Sequence, residues 1–65
     1  MNIFLNGKKK NIKKKILKAV LKKLEINTIG QVVSVNDKAV PWKNYGQVSL
    51  KNNDRVEIKK FWGGG

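Results

Sequence analysis

Cysteine and histidine are both missing from this chain. Their absence excludes disulfides, thiolate or imidazole zinc sites, a thiol nucleophile and the commonest general base. Acidic residues are few and scattered (Glu25, Asp37, Asp54 and Glu57), which leaves no carboxylate cluster to hold a metal, and a metal site is not expected. No apolar run approaches the roughly 20 residues of a membrane span. The N-terminus lacks the basic start, apolar stretch and small-residue cleavage site of a signal peptide. The expected location is cytoplasmic. At 65 residues the chain makes one domain, near the size where burial barely offsets chain entropy. A cleft carrying several catalytic groups, and hence an enzyme, is not expected.

Arginine is nearly absent as well, Arg55 being the single one, although Lys and Arg total 15 and the formal net charge is +11. Such a balance suggests a polyanionic partner. Nucleic-acid readers, however, favour arginine for its bidentate fork to phosphate and guanine. Lys, Asn and Ile abound here and all have A/T-rich codons, so much of the lysine excess reads as base composition acting on solvated positions. A small basic module that binds nucleic acid or a membrane surface is kept as the alternative of a different class. In its membrane form, a basic amphipathic helix over 11–25 would lie on anionic lipid. The stripe is short and has no aromatic, and the flanking strands need a helix to cover them.

Taken in order, Met1, Ile3 and Leu5 fall on one face of a strand near 1–6. Asn6-Gly7 is a strong hairpin signal, because both residues tolerate positive φ in a type I′ turn. The return strand near 8–13 is almost all lysine, with Ile12 to bury, and suits a sheet edge. From Ile16 the period changes: Leu17, Val20, Leu21 and Leu24 recur at helical spacing, predicting a helix near 16–25. Lys13–Lys15 and Glu25 oppose the helix dipole, so this helix depends on packing its apolar face. Asn27–Gly30 reads as a loop. Strands are predicted near 31–36 and 55–61, with a minor strand near 39–41 stopped by Pro41; residues 42–47 read as irregular. The expected core is Ile3, Leu5, Leu17, Val20, Leu21, Leu24, Val33, Val35, Leu50, Val56 and Ile58. The order argues an α+β fold in which a small mixed sheet of about four to five strands packs against one helix.

The chain closes on Phe61-Trp62-Gly63-Gly64-Gly65. Three successive glycines have the most backbone freedom to lose, so the expectation is a folded domain over 1–62 followed by a flexible glycine tail over 63–65. At the tip is an α-carboxylate, ionised at neutral pH, on a tether with no Cβ to clash in a narrow active site. Such a group can attack a nucleotide phosphate and then serve as an acyl donor. The bland alternative is a frayed end.

Several pieces together resemble the ThiS-type sulfur carriers of the ThiS/MoaD superfamily, ubiquitin-like β-grasp proteins. They are Met1-Asn2-Ile3 with Asn6-Gly7, the leucine-rich helix, Val35-Asn36, Val40-Pro41, Tyr45, Leu50, Asp54-Arg55-Val56-Glu57-Ile58 and Gly64-Gly65. Departures are Ile16 where the family usually has Thr, Glu25 where it often has Gly, Asn53 where Gly is common, and Trp42 where a basic residue is common, with Lys43 one place on.

The resemblance implies a β-grasp fold with the first and last strands parallel at the sheet centre. It also implies a non-catalytic role as a protein co-substrate of thiamine biosynthesis. A ThiF-like adenylyltransferase would use ATP to adenylate the carboxylate of Gly65. Sulfur derived from a cysteine desulfurase would replace AMP and leave a thiocarboxylate, and a thiazole synthase would take that sulfur. No cofactor is expected on the chain itself. Gly63 and Gly64 would form the tether. Trp62, Phe61 and Lys43 are the docking candidates, Phe61 having ordinary core packing as its competing role. A MoaD-like carrier serving molybdopterin synthesis, or a carrier for another thiolation pathway, is the competing assignment within the superfamily.

Overall fold

The structure is a computed structural model and describes residues 1–60. Five strands form one mixed sheet: β1 (Asn2–Leu5), β2 (Lys8–Asn11), β3 (Gln31–Val35), β4 (Lys38–Val40) and β5 (Arg55–Lys60). Their spatial order is β2-β1-β5-β3-β4. The helix α1 (Leu17–Lys23) follows β2, and a short 3-10 helix over Trp42–Gln47 joins β4 to the last part of the chain. This is the β-grasp arrangement, with β1 and β5 parallel at the centre and the remaining pairs antiparallel.

Period-two burial and turn chemistry produce the sheet. The β1–β2 hairpin closes through Asn6 and Gly7, both at positive φ (49° and 82°), as a type I′ turn requires. A second such turn, Asn36-Asp37 with φ of 50° and 70°, joins β3 to β4. The lysines of β2 occupy the sheet edge and are exposed. Ile12, just past them, turns inward and is buried. Elements end a residue or two short of several expected limits: the helix covers 17–23 and not 16–25, and β2 stops at Asn11.

Alpha1 has no side-chain cap at its first end, where Ile16 stands. The orphan N–H of Leu17 instead donates to the Val48 carbonyl at 2.9 Å, and Leu50 N–H donates back to Lys15 at 2.7 Å. That tertiary contact pairs the first N–H of the helix, whereas a Thr hydroxyl at position 16 would accept from the N–H of Lys18 or Ala19. At the other end Glu25 takes the left-handed conformation, φ 57°. Its N–H bonds the Lys22 carbonyl and that of Ile26 the Leu21 carbonyl, at 3.1 and 3.0 Å, which is the Schellman closure usually built on glycine.

The core is Ile3, Ile12, Leu17, Val20, Leu21, Val33, Tyr45, Leu50 and Val56. Leu5, Leu24, Val35 and Ile58, expected among them, are only partly buried and pack around this cluster. In a sheet this small the ends of the inward rows lack a second layer to cover them. Two further corrections concern the segment after Pro41. It is helical where irregular chain was expected, and it turns Tyr45 into the core.

Candidate functional site

The sequence points to Gly65 as the reactive terminus, to Gly63 and Gly64 as its tether, and to Trp62 and Phe61 as docking groups. All five lie outside the described residues. What the fold determines is the place from which they leave. Beta5 runs antiparallel to β3, with Val32 opposite Lys59 and Gln31 opposite Lys60. The chain therefore departs at the end of the sheet where β3 begins.

Two local structures frame that end. In the loop before β3, Ile29 N–H donates to Asn27 Oδ1 at 3.0 Å, Gly30 has φ 71°, and Gln31 N–H donates to the Thr28 carbonyl at 3.0 Å. This tight turn holds Ile29 outward, 87% exposed. Beyond β4, Pro41 fixes the entry of the 3-10 helix, and Asn44 N–H donates to the Pro41 carbonyl at 2.9 Å. With three residues per turn, positions 42 and 45 stack on one side. Tyr45 is buried beneath, and Trp42 above it is 78% exposed.

Between these structures lies an apolar groove of about 630 Å³, whose walls include Ile29, Val32, Val40, Pro41, Trp42 and Tyr45. Gln31, the partner of Lys60 in the sheet, also lines it. On the other side of Trp42 a second cleft of about 470 Å³ carries Lys18 and Lys43. The aliphatic stem of Lys18 leans on the 3-10 helix, its Cδ 3.7 Å from where a Cβ on Gly46 would stand. Lys43, a docking candidate from the sequence, is exposed and adjoins this ridge. Trp42 itself was not among those candidates. Its signal was an aromatic directly after Pro41, at a position where the resembling family commonly carries a basic residue.

No Asp or Glu lines either cleft. The acids Asp37 and Asp54 sit at the opposite end of the sheet. There Asp37 pairs with Arg55 at 2.8 Å across exposed side chains, and Asp54 accepts from Asn36 Nδ2 at 2.9 Å. Among the described residues no group of His, Cys, Asp or Glu is placed to hold a metal. No helix among them is long and apolar enough to cross a membrane.

A mixed five-stranded sheet gripping one helix, with the sequence Gly63-Gly64-Gly65 following the central strand, defines the class: a ubiquitin-like β-grasp protein. The ThiS family matches residues 3–65, and the chain belongs to that family. A thiazole synthase from Paramagnetospirillum magneticum is 32% identical over 66 aligned positions. The alignment covers 100% of this chain but only 20% of that protein, so the chain spans about a fifth of the length of this curated relative. Among solved structures, the crystal structure of the thiamine biosynthesis protein ThiS from Geobacter metallireducens superposes with a TM-score of 0.84 at 24% identity, 100% of each chain being covered. An NMR solution structure of a thiamine biosynthesis protein from the same organism gives 0.68 at 24% identity, covering 100% of this chain and 88% of that one. At that identity the likeness establishes the fold.

Proposed function

We propose that the chain is a cytoplasmic sulfur carrier of thiamine biosynthesis, a co-substrate whose chemistry takes place on its terminal carboxylate. The observation that carries this is the family match, which extends through the last glycine, residues 3–65. The Gly65 carboxylate attacks the α-phosphate of ATP within a ThiF-like adenylyltransferase, releasing pyrophosphate and forming an acyl adenylate. A persulfide derived from a cysteine desulfurase displaces AMP to form an acyl disulfide, and a thiol then cleaves its S–S bond, leaving the thiocarboxylate and a new disulfide. The acceptor is a thiazole synthase, a choice supported by the occurrence of a stretch similar to this chain within a protein of that name. Gly63 and Gly64 keep the tether narrow, while the folded body supplies recognition and no catalytic group.

The test is incubation with ATP, a ThiF-like enzyme and a sulfur donor, followed by intact-mass analysis. One oxygen should be replaced by sulfur, and fragmentation should place the change at Gly65. Deleting Gly65 or appending one residue should abolish conversion while leaving the melting temperature unchanged. Thiolation of an extended or shortened chain, or modification of a lysine, would overturn the proposal.

A further inference from the structure

We propose that the Trp42 groove is the docking site for an apolar side chain, flanked by carboxylates, on the enzyme that adenylates the tail. The inference rests on the carrier function proposed above and assigns the body of the domain a recognition site separate from the tail.

Ile29 and Trp42 are by far the most exposed large hydrophobic residues of the described chain, at 87% and 78%, followed at 39% by Val32 and by Ile16, which lies outside the groove. Ile29, Val32 and Trp42 line one groove. Isolated exposed apolar residues need no explanation, whereas a contiguous patch with polar borders marks an interaction surface. Tryptophan is among the residues that most often dominate binding energy at such surfaces. Both anchors are held on short hydrogen-bonded turns, one closed by Asn27 and Gly30 and the other entered through Pro41. Little conformational freedom is then left to lose on binding.

Position limits the partner to a protein that also takes the tail. Gln31 both lines the groove and faces Lys60, the last described residue of β5. Residues 61–65, at no more than about 3.6 Å each, place the carboxylate within roughly 18 Å of Lys60. A protein that holds the tip in its active site is thus within reach of the groove. Docking there raises the effective concentration of the carboxylate at the reaction centre.

Charge completes the description of the partner. The adjoining cleft brings Lys18 and Lys43 beside Trp42, and neither cleft has an acidic wall. Carboxylates beside the inserted apolar group would therefore be complementary. A second copy of this chain fits poorly, since its net charge is +11 and the same lysines would meet across a two-fold interface.

The experiment is isothermal titration of the full chain into a ThiF-like adenylyltransferase without ATP, at low and high salt, alongside thermal melts of every variant. Trp42→Ala should raise Kd roughly tenfold or more, as loss of a tryptophan anchor does, and Trp42→Phe should restore most of the affinity. The double change Lys18→Glu with Lys43→Glu should weaken binding and flatten its salt dependence. Deleting Gly64 and Gly65 should leave most of the affinity. The inference is overturned if the unaltered chain does not bind, or if Trp42→Ala binds like it. It also fails if removing the two glycines abolishes binding. Tighter, Trp42-dependent binding to a single-stranded oligothymidylate probe would assign the ridge to base stacking and overturn it too. If Trp42-dependent docking holds but Gly65 is never thiolated, the carrier chemistry fails and the docking site stands.

Discussion

The side-chain oxygen of Asn6 accepts the backbone N–H of Ile58 at 2.8 Å, joining the first hairpin turn to the last strand across 52 positions of sequence. The Asn6 N–H donates to the Val56 carbonyl at 2.9 Å, so one residue continues the parallel β1–β5 ladder past the end of β1. Asn6 does this at φ 49°, a conformation that asparagine tolerates better than most residues with a Cβ. Turn former and strand clamp are the same side chain. Asn6→Gly keeps the turn and removes the acceptor, relief at positive φ being offset by the freedom glycine gains when unfolded, for an expected cost of about 0.5–1.5 kcal/mol. Asn6→Ala adds backbone strain of roughly 1–2 kcal/mol. Urea unfolding checks the order of the two, and hydrogen exchange should show the Ile58 amide losing protection in both.

Glu25 closes α1 in the left-handed conformation, at the end of the helix dipole that disfavours an anion. Glu25→Gly relieves both effects and should stabilise the fold by roughly 0.5–1 kcal/mol, part of the strain relief being offset by the freedom glycine gains when unfolded. Equilibrium urea melts with an unchanged m-value are the check.

Leu21 is 4% exposed in the core, whereas Val35 is only partly buried at its margin. Leu21→Ala should cost about 2–5 kcal/mol, a large share of the total stability of a small domain. Val35→Ala should cost less, near 1 kcal/mol, since fewer contacts are lost. Equal effects on the melting temperature would contradict this assignment of the core.

Gly64→Val should fold normally and be thiolated poorly, because a β-branched side chain widens and stiffens the thread. Reversing the charge of Lys8, Lys9 and Lys10, which project from the exposed edge strand β2, should change thiolation much less. Intact-mass time courses at matched protein concentration compare the two. A larger effect from the lysines would favour a polyanion-binding role for that face.

The sequence argument rested on Lys43 and the five closing residues, of which Lys43 alone lies among the described residues, on the wall of a cleft. The groove itself was hidden, because its walls come from the loop before β3, from β3 and β4, and from the 3-10 helix. Nothing local in Ile29 or Val32 says that they share a surface. Tyr45 shows the same limit. Without a strand or helix period around it, its burial follows from three-residue-per-turn geometry that the segment 42–47 did not announce.

By itself the sequence determined the five strands, the α-helix and their order. The alternation of Ile3, Val33 and Val56, the helical spacing of Leu17, Val20 and Leu21, and the paired turn residues Asn6-Gly7 and Asn36-Asp37 are local signals, and local sterics and burial suffice to act on them. The tertiary structure decided what depends on contacts between distant segments. It supplied the Val48 carbonyl to the first N–H of the helix, joined Asn6 to Ile58, and set Gln31 beside both Lys60 and the Trp42 groove. Each of these unites residues far apart in the chain, and their meeting is fixed only when the sheet closes over the helix and pairs backbone groups of distant segments.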